Sequence, residues 1–435
     1  MTAEITMPDR KPDVLVIGGG IVGLASAYHI KRGDPSASVL LIDKASAAGQ
    51  GDTAKSAAAV RDMFSSEIAR TLASTTIDFY ADLQNRGVDL GLRFIGYLWL
   101  MSRRQFQKFE MLQETLRQDN LQFRVWSADE LKQMIPDFKP FLAHTDSEVE
   151  VMNLEDVTAA VQGIKCGIIA AEKLVRFYEG EFCRLGGEVM YRLPVEKLLV
   201  EASSKLGIEG EPFEWQEKVI AGAKTLNGEI RARKVVLALG AWGRELLDPI
   251  GLDCHMNPIR KTIFVLKGSK VQHLLTTAGF NADGILPMTV LPRGGVYLRP
   301  VPGEMSLYTA MTEGWGRSFA LTENQPAEES FFLYNLSPLL SKYFPILEGV
   351  RPANMWAGRQ DWSCTDKNPY IFQKGNAVIA LGTSGNGIMK ADAIGRIVAA
   401  LTRNEETAEL WGKKFEVSKV GLTDRIIEHE SFALE

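Results

Sequence analysis

The stretch "DVLVIGGGIVGLASAYHI", Asp13 to Ile30, decides the fold. Val14 to Ile17 is an unbroken aliphatic run, the pattern of a strand buried on both faces of a parallel sheet. Gly18, Gly20 and Gly23 follow at the Gly-x-Gly-x-x-Gly spacing. Ile21 to Ile30 then carries apolar residues at helical period, with Gly33 and Pro35 as the stop. Gly18 permits the tight strand-to-helix turn, Gly20 lets the backbone approach a pyrophosphate, and Gly23 allows close helix–sheet packing. The pyrophosphate would rest on the free N–H groups and positive dipole end of the helix. Next, "SVLLIDK" supplies a second buried strand, Val39 to Ile42, ending in Asp43, which follows Gly18 by 25 residues. A carboxylate there accepts hydrogen bonds from ribose hydroxyls. Strand, turn, helix, strand and acid in this order predict a bound dinucleotide.

The rest of the chain bounds that reading. With 435 residues it is too long for one simple core, so two intertwined domains are expected. The composition, 46% hydrophobic and 24% charged, is that of a globular protein, and a net charge of −5 argues against nucleic acid as the main partner. Cys166, Cys183, Cys254 and Cys364 are scattered without zinc-type spacing, so free thiols and no metal are expected. The polar leader "MTAEITMPDRK" and the lack of an 18-residue apolar run predict no signal peptide and no membrane span. A cytoplasmic protein is expected, with peripheral membrane attachment left open.

Two distant stretches say which dinucleotide. "KVVLALGAWG", Lys234 to Gly243, reads as a strand ending in a small-residue turn. "NAVIALGTSGNGIMKADAIGRIVAAL", Asn376 to Leu401, reads as strand, glycine-studded turn and helix, with Gly382, Gly385 and Gly387 bringing backbone amides close to a ligand. A cofactor that spans the molecule needs such a second turn; a bare NAD domain does not. These stretches, with "GDTAKSAAAVR", "FIGYLWL", "LPRGGVYLRPVPG" and "WAGRQDWSCTDKNPYI", make the chain resemble the flavoprotein amine and amino-acid oxidoreductases: D-amino-acid oxidase, glycine oxidase, sarcosine oxidase and dye-linked L-proline dehydrogenase. Val271 to Ala282 and the last 20 or so residues lack a counterpart.

The resemblance implies FAD and assigns it contacts. Gly18, Gly20, Ile21, Val22 and Gly23 match the pyrophosphate turn. Asp43, where the family usually has Glu, and Lys44 match the adenosine ribose contacts. Thr53, Lys55 and Ser56 match the loop over pyrophosphate and flavin, and Val195 the strand that holds the adenine. Gly240, Trp242 and Gly358 fall in matched cofactor-binding motifs. Gly385, Asn386, Gly387, Ile388 and Met389 match the turn at the flavin pyrimidine edge. The cysteine that tethers flavin in monomeric sarcosine oxidase has no match, since Cys364 falls too close to Asp366, so non-covalent FAD is expected.

A carboxylate substrate calls for a cation, and arginine's fork suits it best. Arg61 matches the arginine that grips the substrate carboxylate in sarcosine oxidase-like enzymes. Arg359 lies near the segment where D-amino-acid and glycine oxidases carry theirs, but in a different register, with Asp361 in the usual position. Tyr297 and Arg299, on one face of a strand by alternation, wall the expected pocket, with Phe64 and Trp99 as further apolar lining. Met389 stands where monomeric sarcosine oxidase has its carboxylate-binding lysine. Lys390 comes one residue late, a rotation of about 100° on a helix, and is not expected to replace it. None of His29, His144, His255, His273 or His429 is an evident base, which suits an amine better than an alcohol.

The expected fold is α/β: a discontinuous Rossmann-like FAD-binding domain (11–84, 156–254 and 356–412), an inserted, mainly antiparallel substrate domain (85–155 and 256–352), and a C-terminal tail (413–435). The expected function is oxidation of a small or secondary amino acid (L-proline, a sarcosine-like amine or a D-amino acid) to the imine by hydride transfer to flavin N5. A dehydrogenase is favoured, with a quinone, a dye-like carrier or oxygen as acceptor, and a homo-oligomer or complex subunit as the possible assembly. The rival readings are a 2-hydroxy acid or glycerol-3-phosphate dehydrogenase of the same fold, and a non-catalytic flavin-bearing assembly factor or complex subunit.

Overall fold

The computed structural model describes residues 11–313, 316–428 and 430. His429 and the chain end from 431 lie outside the described residues. β1 (Val14–Ile17) is buried along its whole length, as its aliphatic run requires, and hands over through Gly18–Gly20 to α1 (Ile21–Gly33). β2 (Val39–Ile42) pairs with it in parallel, Val14 opposite Val39. On the other side of β1 lies Lys234–Leu237, and beyond that Ala377–Leu381, both parallel. Glu188–Met190 and the antiparallel Tyr370–Lys374 complete a six-stranded sheet at its two edges. Its core strands come from the beginning, middle and end of the chain.

On one face of this sheet, α1 packs against the Gly387–Thr402 helix, whose Gly395 makes the crossing possible. A Cβ on Gly395 would stand 2.7 Å from the Ala25 carbonyl. α2 (Glu67–Asn85) covers that helix from the other side. Inside the packing, His29 Nε2 meets Asp392 Oδ1 at 2.6 Å, and Arg396 Nε meets Asp392 Oδ2 at 2.6 Å. Burial works against the Asp392 charge, yet His29 and Arg396 hold its carboxyl below the ordinary carboxylate range. His29 is therefore a core residue, and His255 stacks on Tyr370 with its ring centroid 4.9 Å away.

The second sheet has eight strands, in the order Pro352–Ser363, Met256–Leu266, Ser306–Ala310, Tyr297–Val301, Met288–Val290, Tyr97–Met101, Ala159–Gly163 and Phe123–Ser127. All neighbours are antiparallel except Met288–Val290 with Tyr97–Met101. Two strands correct the expected domain limits. Ala159–Gly163, expected with the cofactor domain, pairs with Tyr97–Met101 here. Most of Pro352–Ser363, expected there from 356 onward, pairs with Met256–Leu266 from Met256↔Ser363 to Leu266↔Pro352. Local pattern does not say which sheet a strand joins. Val271, Leu274 and Leu275, in the stretch without a family counterpart, are buried in this domain's core.

The tail reading is corrected as well. Lys413–Glu416 forms a hairpin with Thr407–Leu410, and Phe415, Val417 and Val420 are buried. Arg425 lies in a buried ion pair with Asp366 and bonds the carbonyls of Asn368 and Pro369 (both 2.9 Å). Glu428 and Glu430 also bond the start of α2. No described helix is long and apolar enough to cross a membrane.

Candidate active site

The two sheets enclose a cavity of about 2090 Å³, well above the roughly 300–1,000 Å³ of ordinary ligand pockets. That volume is enough for a dinucleotide and a substrate together. At its cofactor end the three motif glycines do different work. Gly18 has φ +111°, and a Cβ on it would lie 2.2 Å from the Ala238 carbonyl oxygen. A Cβ on Gly23 would lie 1.8 Å from the Gly18 carbonyl oxygen, so that glycine sets the packing of α1 and does not line the cavity. Gly20 meets only Thr53 Oγ1, at 3.5 Å, and opens onto the cavity. The start of α1 carries no side-chain cap, which leaves its N–H groups for an anion. Thr53 Oγ1 takes one of them, from Ile21 (3.1 Å).

Asp43 accepts from the backbone N–H of Gly19 (2.5 Å) and Ala45 (2.6 Å), which fixes its carboxylate at the cavity edge. Lys44 Nζ stands 3.2 Å over the Trp242 ring and pairs with Glu323. Val22, Lys55, Ser56, Val195, Gly240 and Gly358 line the same half. At the far end Gly385, Asn386, Gly387, Ile388 and Met389 line the cavity where the Gly387–Thr402 helix begins, again without a side-chain cap. Two uncapped helix starts and an acidic edge facing one long cavity fit FAD. Cys364 does not line it.

The structure separates the two candidate arginines. Arg359 is buried in a clamp: its backbone N–H and Nε bond Asp52 Oδ1 (2.8 and 3.1 Å), and Nη1 bonds the Thr322 carbonyl (2.8 Å). It lies 5.1 Å from the Trp242 ring, alongside Lys44. Arg359 thus ties the 52–55 loop to the 320–325 loop at the cofactor end, with its guanidinium engaged by Asp52 and the Thr322 carbonyl. Arg61 is elsewhere. Its guanidinium lies 4.0 Å from the Phe64 ring and 5.8 Å from the Trp99 ring, and Nη1 bonds the Met63 carbonyl at 3.3 Å. Tyr97, Trp99 and Tyr297 share its aromatic end of the cavity.

Lys390 departs from expectation. It is 1% exposed, lines the cavity, and carries its Nζ to 4.9 Å from the same Phe64 ring. A four-carbon stem reaches back where the rotation of its Cα pointed away. Burial, first of all, drives its ammonium down to about 7, with Glu430 opposing and Arg61 assisting.

Sequence reasoning missed Lys261. It lines the cavity 5.7 Å from the Tyr297 ring, and burial pushes its ammonium down to about 8. Its neighbour Arg260 lines the cavity too, paired with the buried Glu313, which Arg260 Nε and Thr262 Oγ1 meet at 2.9 and 2.7 Å. "IRKT" puts two adjacent cations on one strand of the substrate sheet, a signal that was available. Asp361 is buried with Thr383 N–H and Oγ1 on its two oxygens (3.1 and 2.7 Å), bracing the 382–387 turn. Arg299 lies behind the wall, with Nη1 on the Pro300 carbonyl (3.1 Å).

A cofactor cradle at one end of a long cavity and an arginine among aromatic rings at the other fit a dinucleotide-binding protein of the flavoprotein type. Residues 13–401 match the FAD dependent oxidoreductase family, and the chain belongs to it. It is similar to FAD-dependent oxidoreductase domain-containing protein 1 of Xenopus laevis, 22% identical over 91% of this chain and 80% of the relative. It is likewise similar to glycine oxidase of Pseudomonas aeruginosa, 24% identical over 90% of this chain and 95% of the relative. Among solved structures, L-proline dehydrogenase from P. horikoshii shares the fold with a TM-score of 0.72, at 22% identity over 92% of this chain and 95% of that one. The protein is a flavoprotein oxidoreductase of the amino-acid oxidase and dehydrogenase family, and its cofactor is FAD.

Proposed function

We propose that this protein oxidises a small amino acid or N-substituted amino acid to its imine, as a dehydrogenase with non-covalently held FAD. The observation that carries the reading is the pairing of Arg61 with an aromatic box, Phe64, Tyr97, Trp99 and Tyr297, at the end of the cavity away from the ribose edge. Arg61 holds a carboxylate, and the rings hold a short apolar body and exclude water. When bound, FAD supplies the two-electron oxidation at the carbon beside nitrogen. An amine that binds as its free base needs no protein base, and no histidine lines the cavity among the described residues. An alcohol would need one, which disfavours the 2-hydroxy acid and glycerol-3-phosphate readings.

The test is anaerobic titration of the purified yellow protein with L-proline, sarcosine, glycine, D- and L-alanine, L-lactate and glycerol 3-phosphate. Bleaching of the flavin band by an amine supports the proposal and names the substrate class. Bleaching by lactate or glycerol phosphate alone replaces it with the alcohol reading.

A further inference from the structure

Lys261 lies on the Met256–Leu266 strand, half-buried in the cavity wall, with its ammonium 5.7 Å from the Tyr297 ring. It makes no hydrogen bond and no ion pair with any described residue. The nearby carboxylate, Glu313, is already engaged. Its Oε1 accepts from the Thr262 N–H and hydroxyl (3.1 and 2.7 Å), and its Oε2 meets Arg260 (2.9 Å) and Arg317 (3.2 Å). A cation drawn out of water in this way costs free energy until a counter-charge reaches it.

A run of rings connects Lys261 with Arg61. Arg61 lies on Phe64 and near Trp99, Trp99 is 5.3 Å from Tyr97, and the Tyr97 phenol senses both Arg61 and Tyr297, the ring beside Lys261. Arg61 is not among the charges that act on Lys261, so the two are separate anchor points. The rim of the cavity carries the same sign. Arg104 and Lys108, one turn apart on the Arg103–Gln118 helix, and Arg293 are exposed, line the cavity, and have no ion-pair partner among the described residues. Gln105 Nε2 bonds the Pro292 carbonyl (2.9 Å) and so brings the helix and the turn of Arg293 together. Glu155, which acts on Tyr343 together with Arg293, adds one negative charge there. In a chain of net charge −5, three cations against one carboxylate at the rim favour entry of an anion.

We propose that Lys261 binds a second carboxylate of the substrate while Arg61 holds the first, so that the substrate is a dicarboxylic amino acid or an amino acid with a carboxyalkyl group on nitrogen. The inference rests on the proposed function in taking Arg61 to hold the first carboxylate. A monocarboxylic substrate leaves Lys261 without a counter-charge. A second carboxylate supplies one and adds a charge-assisted hydrogen bond.

The test uses ligands with no nitrogen to oxidise: butyrate against succinate, glutarate and adipate. Each is titrated at pH 7 into the purified holoprotein by calorimetry, with the flavin spectrum as second readout. At least one dicarboxylate should bind about tenfold or more tighter than butyrate, the effect of one further hydrogen bond to a charged group. The best chain length then reads the span between the two cations. Lys261→Met should abolish that preference while butyrate affinity and flavin content stay as in the wild type, and Lys261→Arg, which keeps the charge, should retain most of it. Arg61→Met should weaken mono- and dicarboxylates alike. A wild-type protein that binds no dicarboxylate better than butyrate would overturn the proposal. So would a preference that survives Lys261→Met, or loss of flavin from that variant, which would give the lysine to the cofactor. None of these ligands is oxidised, so failure here leaves amine-driven flavin reduction standing, and failure of every amine leaves the affinity ratio readable.

Discussion

Replacing Arg61 with methionine isolates the charge at the substrate end. The side chain is 3% exposed and lies flat on Phe64, and methionine fills much the same volume without the guanidinium. Removing one partner of a buried, hydrogen-bonded charge pair costs about 3–5 kcal/mol. Lys390 also lines the cavity beside Phe64, so the lower end applies, about 3 kcal/mol, and at about 1.4 kcal/mol per tenfold this is roughly 100-fold. The assay is anaerobic stopped-flow reduction of the flavin by whichever amine bleaches it, fitted for apparent Kd and limiting rate. The apparent Kd should rise about 100-fold, with a much smaller change in limiting rate, because the arginine holds the carboxylate in ground and transition states alike. Arg61→Lys should recover part of the loss but not the fork geometry. Arg359→Met should act on a different quantity, flavin retention through gel filtration, because it loosens the Asp52 clamp. An unchanged Kd in Arg61→Met would remove that residue from the site and with it the main support for a carboxylate substrate.

Three further outcomes are expected. Gly23→Ala drives a Cβ into the Gly18 carbonyl and should yield protein with little flavin absorbance per mole; a normal flavin content would contradict the packing argument. Asp62 is buried, with the Cys166 thiol 3.4 Å from Oδ1, and burial raises its carboxyl from 3.8 to about 6. Its charge is therefore disfavoured in the folded chain, and the penalty appears as pH rises past about 4 and is complete above about 6. Asp62→Asn should raise the thermal midpoint at pH 8, by up to about 3 kcal/mol of stability, and leave it unchanged at pH 4; a pH-independent effect would sink the reasoning. Lys390, held near 7 among Glu430, Arg61, Asp366 and Arg425, loses its charge as pH rises. Apparent affinity for the carboxylate substrate should fall between about pH 6 and 9, and Lys390→Met should flatten that profile.

What was legible in the sequence was local. β1, the glycine turn, α1, β2 and Asp43 lie within a few turns of chain, and each determines its neighbour: Gly23 packs on Gly18, and Asp43 receives the Gly19 amide. What escaped depended on distant partners. Arg359 looked like a substrate residue until Asp52, 307 residues away, claimed its guanidinium. Lys390 was judged by the rotation of its Cα, but its reach depends on Phe64, which a different element carries into the site. Ala159–Gly163 carries no local mark of the sheet it joins, and the stretch from Ile426 reads as tail until Glu428 and Glu430 meet the start of α2.

The central sheet also sets a timetable for synthesis. Lys234–Leu237 lies between β1 and Ala377–Leu381, so its outer edge stays bare until residues about 140 positions later have been made. At roughly 5–20 residues per second on the ribosome, that is about 7–30 s during which an apolar strand edge stands open to other chains. Fragments ending before residue 377 would keep that edge permanently and should aggregate rather than fold as a cofactor domain. The chain cannot be dissected at its domain limits, and slower translation or a chaperone that shields strand edges should raise the yield of holoprotein.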